Sequence, residues 1–312
     1  MSIFRFDLPT TGIQPSEKLL VIKLRVLLVY AGSVAAFFVP PTPALLALML
    51  MGFYLRTFGW EGGHHRYFAH RSFKTSRAFQ FVLACLGASS GQRGPLWWAC
   101  FHRAHHRHAD TPQDPHTPVG NGRMYAYLGW LFDKNNCDTN LDDAKELTRY
   151  PELVWVNKYH YLLPYLYLAG VYALGQWTPL FGGDAGIAAV VWGFFVSTLL
   201  SLQGSLLVNA FAHSPRPGWF TYRSYRTPDT SLNHWLLCLL SLGASWHNNH
   251  HRYMNSARAG FRWWELDITY LTLRALAAVG LVWDLREVPE HVLLEASRPD
   301  EGGLSTDRGD RQ

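Results

Sequence analysis

The spacing of the apolar runs constrains this chain most. Four stretches, residues 19–39, 44–60, 161–181 and Gly186–Phe211, carry few charges. Each reaches the roughly 17–25 residues that a helix needs to cross the hydrocarbon core of a bilayer. The chain as a whole is 48% hydrophobic and 15% aromatic, so the uneven distribution sets the class. Lys23, Arg25 and Arg56 fall inside or near the ends of the first two stretches. Long basic side chains in such places reach back to the headgroups. Buried core helices of a soluble protein are the alternative reading, and two further long stretches weigh against it. Pro40-Pro41-Thr42-Pro43 breaks the first pair and Gly182-Gly183-Asp184 the second, which predicts two helical hairpins. The expected fold is an all-α integral membrane protein of four transmembrane helices with a helical cap.

Two hairpins return the chain to the side it started from. Residues 61–160 and 212–296 then form a cap on one face. A weaker apolar run at 78–91 has too few residues to cross, so it is expected to dip into the membrane or pack under the cap. Residues 263–282 read as an amphipathic helix whose Trp263-Trp264 pair suits the interface. The tail 297–312 lacks apolar content and reads as disordered, leaving 1–296 as one membrane domain.

The net charge is +5. Arg5, Lys18, Lys23, Arg66, Arg71, Lys74 and Arg77 cluster near the ends of the first stretches, which predicts cytoplasmic termini and a cytoplasmic cap, at the inner membrane if the source is bacterial. No basic tract interleaved with aromatics points to nucleic acid. The four cysteines make no CxxC pair and no disulfide framework, as suits a reducing compartment. The polar start MSIFRFDLPTTGIQPSEK does not read as a cleavable leader.

Fifteen histidines are present, and most fall in clusters flanking the apolar runs. His65 and His70 lie five apart, so both reach one site if the helix ends or bends between them. His102, His105 and His106 have spacings of three and four, which puts the rings on one helical face. His247, His250 and His251 (in WHNNHH) repeat that pattern. His213 follows Asn209 by four residues at the end of the last apolar run. Nine imidazoles are too many for one metal and suit two, each five- or six-coordinate with water or Asn209 filling in. Two such metals side by side point to redox chemistry and favour iron, although the ligand set alone leaves zinc open. His64, His108, His116, His160, His234 and His291 read as supporting or surface groups. Glu61, Asp110, Asp114 and Asp267 are able to orient ligating rings and are left unassigned.

The arrangement His65-x4-His70, His102-x2-His105-His106 and His247-x2-His250-His251 resembles that of the membrane fatty acid desaturases. Finer features resemble their Δ9 branch, which includes stearoyl-CoA and bacterial acyl-lipid desaturases. These are GHHRYFAHRSF at 63–73, Trp98-x3-His102-Arg103, Asp114-Pro115-His116, Asn209-x3-His213 and ARAGFRWWELDITY at 257–270. The likeness runs from the first apolar stretch to Leu285. It implies a four-helix membrane enzyme whose cap holds two irons on nine histidines, with Asn209 acting through a water. It implies removal of two hydrogens from a saturated C16–C18 acyl chain, with O2 as co-substrate. Two departures bear on the carrier of that chain. Cys100-Phe101 stands where animal acyl-CoA desaturases have Arg-Asp. Leu131-Phe132-Asp133-Lys134 stands where they have adjacent basic residues that hold the CoA headgroup. The carrier is therefore open between acyl-CoA, acyl-lipid and acyl-carrier protein.

An apolar tunnel suits such a substrate, since each buried CH2 gains about 0.8 kcal/mol. Trp97, Trp98, Phe101, Trp246 and Trp263 are candidate walls. Gln92, Arg93 and Lys134 are candidate headgroup contacts. No haem-binding HPGG, iron–sulfur cysteine run or dinucleotide fingerprint occurs in the sequence, so a separate ferredoxin or cytochrome b5-type donor is implied. Hydroxylation by a related di-iron enzyme is the alternative chemistry. Metal transport is the remote one, because transporters hold their ligands at bilayer depth and nearly all of these lie at the ends of spans.

Overall fold

The structure is a computed structural model describing residues 18–138 and 141–295. The tail 297–312, expected to be disordered, lies outside the described residues, as does Arg5. What is described is mostly helical, with two pairs of very short strands among the described residues.

Helix α1 (Leu19–Val34) is prolonged by a 3-10 turn at Ala35–Phe37. Its outward face is apolar: Leu20, Leu24 and Leu27 are all more than half exposed, as on a surface that meets lipid rather than water. After the proline loop, Thr42 Oγ1 accepts a hydrogen bond from the Leu45 N–H (3.2 Å) and Pro43 occupies the first turn of α2. Both are N-terminal signals.

Helix α2 (Pro43–Ala69) runs for 27 residues, nine beyond the expected end at 60. Its last 11 residues, Gly59–Ala69, are π-helical. Gly59 makes the extension possible. A Cβ there would lie 2.5 Å from the Leu86 carbonyl carbon and 2.6 Å from the Gly87 nitrogen, so α3 (Arg77–Ser89) packs directly on the π segment. The run at 78–91 thus forms a helix of 13 residues, shorter than a crossing needs, packed against the π segment, the rest of α2 and helices that follow.

Helix α4 (Pro95–His108) starts on Pro95, and Asn157 Oδ1 accepts from the Trp97 N–H (2.9 Å). The short α5 (Arg123–Tyr127) and α6 (Pro151–Lys158) follow. The stretch 161–181 departs from expectation. It forms α7 (Leu162–Trp177), 16 residues, then a 3-10 turn at Pro179–Phe181. Pro179 lacks an N–H and disfavours helical geometry at Thr178, which stops the helix early. Among the described residues, three helices are therefore long and apolar enough to cross a membrane: Leu19–Phe37, Pro43–Ala69 and Gly186–Phe211. The last, α8 (Gly186–Phe211), keeps its expected bounds and has a π-helical segment at Val190–Val196.

Arg56 does not reach for the headgroups. It is 1% exposed and lies between helices. Its guanidinium donates to Gly52 O, Thr198 Oγ1 and Ser197 Oγ and stacks 4.2 Å from the Tyr167 ring. Arg66, counted among the basic residues that cluster near the ends of the first stretches, is also buried.

In the cap, α9 (His247–Arg252) is only six residues long. The segment 263–282 is helical only as α10 (Ile268–Ala278). Asp267 caps the Tyr270 N–H (2.9 Å) and fixes the start, so Trp263 and Trp264 stand exposed ahead of the helix. Beyond it, Val282–Trp283 pairs antiparallel with Lys74–Thr75. The main core lies where the π segment, α3, α4 and α6 meet, around Phe58, Phe68, Leu83, Leu96 and Leu153.

Gly59→Ala must force α2 and α3 apart. The expected cost is about 1–3 kcal/mol, read as a lowered thermal midpoint of the purified protein in detergent.

Candidate metal centre

The five-residue spacing of His65 and His70 is the spacing of a π-helical hydrogen bond. The His70 N–H donates to His65 O (3.2 Å), so the two residues fall one π turn apart, and their ring centroids are 5.0 Å apart. The helix needs no break between them. Arg103 receives the end of α2: its Nε and Nη2 donate to Ala69 O (2.9 Å) and Phe68 O (2.8 Å), satisfying carbonyls that a helix end leaves without partners.

Nine histidines converge in two sets. The ligand atoms of His65, His70, His102, His106 and His250 lie within 4.8 Å of one another, and so do those of His105, His213, His247 and His251. The helices share out their rings alternately. On α4, His102 and His106 join the first set while His105 turns to the second. On α9, His247 and His251 join the second set while His250 crosses to the first. The sets adjoin, with the His106 and His251 ring centroids 4.4 Å apart.

Carboxylates fix which nitrogen points inward. The Nδ1–H groups donate to Glu61 Oε2 from His65 (2.7 Å), to Asp114 Oδ2 from His105 (2.9 Å), to Asp110 Oδ2 from His213 (3.2 Å) and to Asp229 Oδ2 from His251 (2.8 Å). Burial alone would raise the carboxyls of Asp110, Asp114 and Asp229; the histidines and nearby donors outweigh it and hold all three below the usual range. Burial, reinforced by neighbouring rings, pushes His70, His102, His106, His247 and His250 well below the ordinary imidazole value. His251 is pushed down to about 4 by burial, with Asp229 pulling against it. These six rings are neutral at pH 7.

This donor set fits metal. His105 and His251 both spend their Nδ1–H on a carboxylate, so both Nε2 atoms are bare lone pairs, and they face each other at 3.2 Å. Two lone pairs at that distance repel unless a cation lies between them. In the first set, Nε2 atoms also stand 2.8–2.9 Å apart between His65 and His250 and between His106 and His250. Neutral imidazoles aimed by outer carboxylates are the usual form of a histidine metal site.

Of the carboxylates singled out in the sequence, Glu61, Asp110 and Asp114 orient rings. Asp267 instead pairs with Arg66 (2.9 Å), which also holds Glu61 (2.9 Å). Asp229 was missed, because nothing in PDTS marks it as facing a histidine 22 residues on. Asn248 and Asn249 were also missed, although they sit inside WHNNHH. Asn248 Oδ1 accepts from the Ser224 and Tyr225 N–H groups (both 2.8 Å). Asn249 Nδ2 donates to Ala259 O (3.0 Å) and Glu265 Oε2 (2.8 Å). A six-residue helix is too short to persist by itself, and these ties hold α9 in place. The RWWELD stretch is therefore a clasp joining the third cluster to the first.

His116 is buried beside His105, ring centroids 4.3 Å apart. The Asp114 between them is spent on His105, so this group supports the second set. His64, His160 and His234 are buried elsewhere, His108 is half-buried and His291 exposed; none belongs to either set.

Asn209 lines a small cavity with His102, His116, Trp97, Trp98 and Phe101. This cavity adjoins a longer apolar one bounded by α1, α7 and α8, the two sharing Trp97, Trp98, Trp130 and Ser205. Trp98 stacks on His102 (centroids 4.8 Å). Gln92 and Arg93 line the longer cavity, but both are engaged. Gln92 Oε1 accepts from Trp98 Nε1 (3.2 Å), and Arg93 Nη1 donates to Asn136 O (3.1 Å). Lys134 is exposed at a turn beside Asp133. Trp246 is buried with its Nε1–H on Leu266 O (2.9 Å), and Trp263 is exposed; neither lines these two cavities.

Helices fit to cross a bilayer, two adjoining all-histidine sets and an apolar cavity leading to one of them define a membrane-associated, histidine-rich metalloenzyme with room for a hydrocarbon chain. The chain belongs to the fatty acid desaturase family, whose model matches residues 39–284. It is 34% identical over 239 residues to an acyl-CoA C20 Delta5-desaturase of Anemone leveillei, covering 75% of this chain and 71% of that one. It is 31% identical over 277 residues to a hex-5-enoyl-[acyl-carrier protein] acetylenase of Moorena producens (strain JHB), covering 83% and 82%. It is 32% identical over 225 residues to an sn-1 stearoyl-lipid 9-desaturase of Anabaena variabilis, covering 72% and 77%. It is an oxidoreductase, a fatty acyl desaturase.

Asp229→Asn weakens the acceptor that aims His251. Metal affinity of the second set is expected to fall about 10–100-fold, measured as metal retained per chain after dialysis against a graded chelator series.

Proposed function

We propose that this chain introduces a cis double bond, at Δ9, into a saturated C16–C18 acyl chain carried as acyl-CoA or acyl-lipid. The observation that carries the proposal is the pair of converging histidine sets at the end of an apolar cavity. In this reading His65, His70, His102, His106 and His250 hold one iron, and His105, His213, His247 and His251 hold the other. Asn209, lining the cavity beside His102, completes a coordination shell through a water. The relatives named for position 9 support the regiochemistry.

When bound, the two irons with O2 and two electrons supply the oxidising power that an unactivated C–H bond requires. The balance is closed: one CH2–CH2 unit, O2, two electrons and two protons give one CH=CH unit and two waters. The chain's own residues do the rest. Trp97, Trp98 and Trp130 flank the hydrocarbon and keep water from it. Gln92 holds Trp98, and Trp98 stacked on His102 fixes how near a methylene comes to the metals, a distance that near-attack geometry makes critical. The outer carboxylates hold the ligand rings still throughout.

The proposed protein is multi-pass. Helix α7, prolonged by the Pro179–Phe181 turn, serves as the fourth crossing and closes the second hairpin with α8. The termini and the cap are cytoplasmic, at the inner membrane of a bacterium, as the basic residues near Lys18 and Lys23 suggest. A ferredoxin or cytochrome b5-type protein brings the electrons to the cap.

Expression in a host lacking its own desaturase should yield a cis monoene two mass units lighter than the saturated parent, read by gas chromatography and mass spectrometry. A product heavier by one oxygen would instead make the chain a hydroxylase. His105→Ala and His250→Ala each strip a ligand from a different set, so either should abolish turnover and lower the iron content. Full activity in both would sink the di-iron assignment.

A further inference from the structure

Which carrier brings the acyl chain depends on where the long cavity opens. Helices α1 and α7 both pack against α8, and the cavity lies between them. Leu28 and Tyr165 line it, yet are 52% and 47% exposed. Residues that face both the cavity and the outside mark an opening, and this one is sideways, between two apolar helices. Its level is also informative. The lining residues of α1 begin at Ile22 and those of α7 at Pro164, within about a turn of the start of each helix. Arg25, Gln92 and Arg93 line the cavity there. They put polar groups at one end of an otherwise apolar cavity, as suits the polar end of a long hydrocarbon chain. Beyond the opening, the apolar wall leads past Trp98 to His102 and Asn209.

The open cleft on the other side of Phe101 has the opposite character. A broad open cleft, lined by Cys100, Phe101 and Asn136, carries Asp133, Asp138 and Asp143, with no lysine or arginine among its lining residues. Arg107 at its edge is paired with Asp143 (2.6 Å). A coenzyme A headgroup is a polyanion, and like charges at such a mouth oppose its docking.

We infer that this desaturase draws its acyl chain laterally from the bilayer, on a membrane glycerolipid, through the gap between α1 and α7, rather than from a soluble thioester. The inference rests on the desaturase reading and selects the substrate class of that same site. The ester end stays at leaflet level and the chain passes inward to the metals.

The test uses the full chain, iron-loaded and reconstituted with a ferredoxin donor system. Vesicles are made from the total polar lipid of bacteria grown on perdeuterated stearate. In parallel, perdeuterated stearoyl-CoA and stearoyl-acyl carrier protein are offered to the enzyme in unlabelled vesicles. Deuterated monoene is expected in the lipid arm, with the thioester arms at least ~10-fold slower, as expected when a chain cannot reach the reacting geometry. Val26→Trp and Leu168→Trp, which narrow the gap away from the ligands, are expected to cut the lipid arm by a similar ~10-fold, with iron content and thermal midpoint unchanged. Thioester turnover equal to or faster than lipid turnover overturns the inference and leaves the desaturase standing. So does undiminished lipid turnover in both tryptophan variants. No monoene in any arm, with iron loaded and the donor oxidised, would remove the desaturase reading itself.

Discussion

Everything at the centre depends on the hydrogen bonds between imidazole Nδ1 and buried carboxylate. A histidine offers two nitrogens, and a metal site needs the same one turned inward from each ring. Glu61, Asp110, Asp114 and Asp229 settle that choice by taking the Nδ1–H of His65, His213, His105 and His251. Each carboxylate is itself restrained. Arg66 holds Glu61, the Thr230 N–H and hydroxyl hold Asp110, the Asp110 and His116 N–H groups hold Asp114, and the Ser231 N–H and Thr227 hydroxyl hold Asp229. The orientations of these four rings are thus set by the protein's own hydrogen bonds.

The membrane helices set where this centre stands. Helix α2 enters the cap without a break, so its first two ligands are continuous with an apolar helix, and α8 delivers His213 at its end. Arg56, Thr57, Ser197, Thr198 and Ser201 tie these two helices together by hydrogen bonds inside the bundle. Such bonds hold where no water competes. The second half of the centre has no long helix to hang on. It depends on α9, a helix too short to hold itself, secured by Asn248, Asn249 and the RWWELD clasp. Because Arg66 bridges Glu61 and Asp267, the clasp and the first ligand helix share one buried ion cluster.

Much was legible in the sequence. Gly186–Phe211 kept its bounds because its apolar run is long and uninterrupted, and the run at 78–91 formed a helix shorter than a crossing needs because the run itself is short. Local signals gave out where chain geometry depends on what lies alongside. The end of α2 is set by the packing of α3 against Gly59 rather than by a stop signal. The segment 161–181 divides at a Thr-Pro pair hidden in an apolar run. Arg56 was expected to reach for the headgroups and Arg66 to mark the cytoplasmic end of a span, yet each finds partners far along the chain. The short α10 starts at a cap, Asp267, that also serves the Arg66 cluster.

By itself, the sequence determined that nine histidines would stand at helix ends beside apolar spans, since spacings of three, four and five act through local helical geometry. It determined the count, which suits two metals better than one. Only the tertiary structure decided which ring serves which set, splitting His105 from His106 and His250 from His251. Adjacent residues on a helix point about 100° apart, so two facing helices, α4 and α9, each send rings to both sides of the seam between them. No local pattern encodes how those helices cross. The same is true of Asp229, of the asparagines that hold α9, and of the sideways opening between α1 and α7. All three are relations between segments far apart in the chain, and they exist only once folding has brought those segments together.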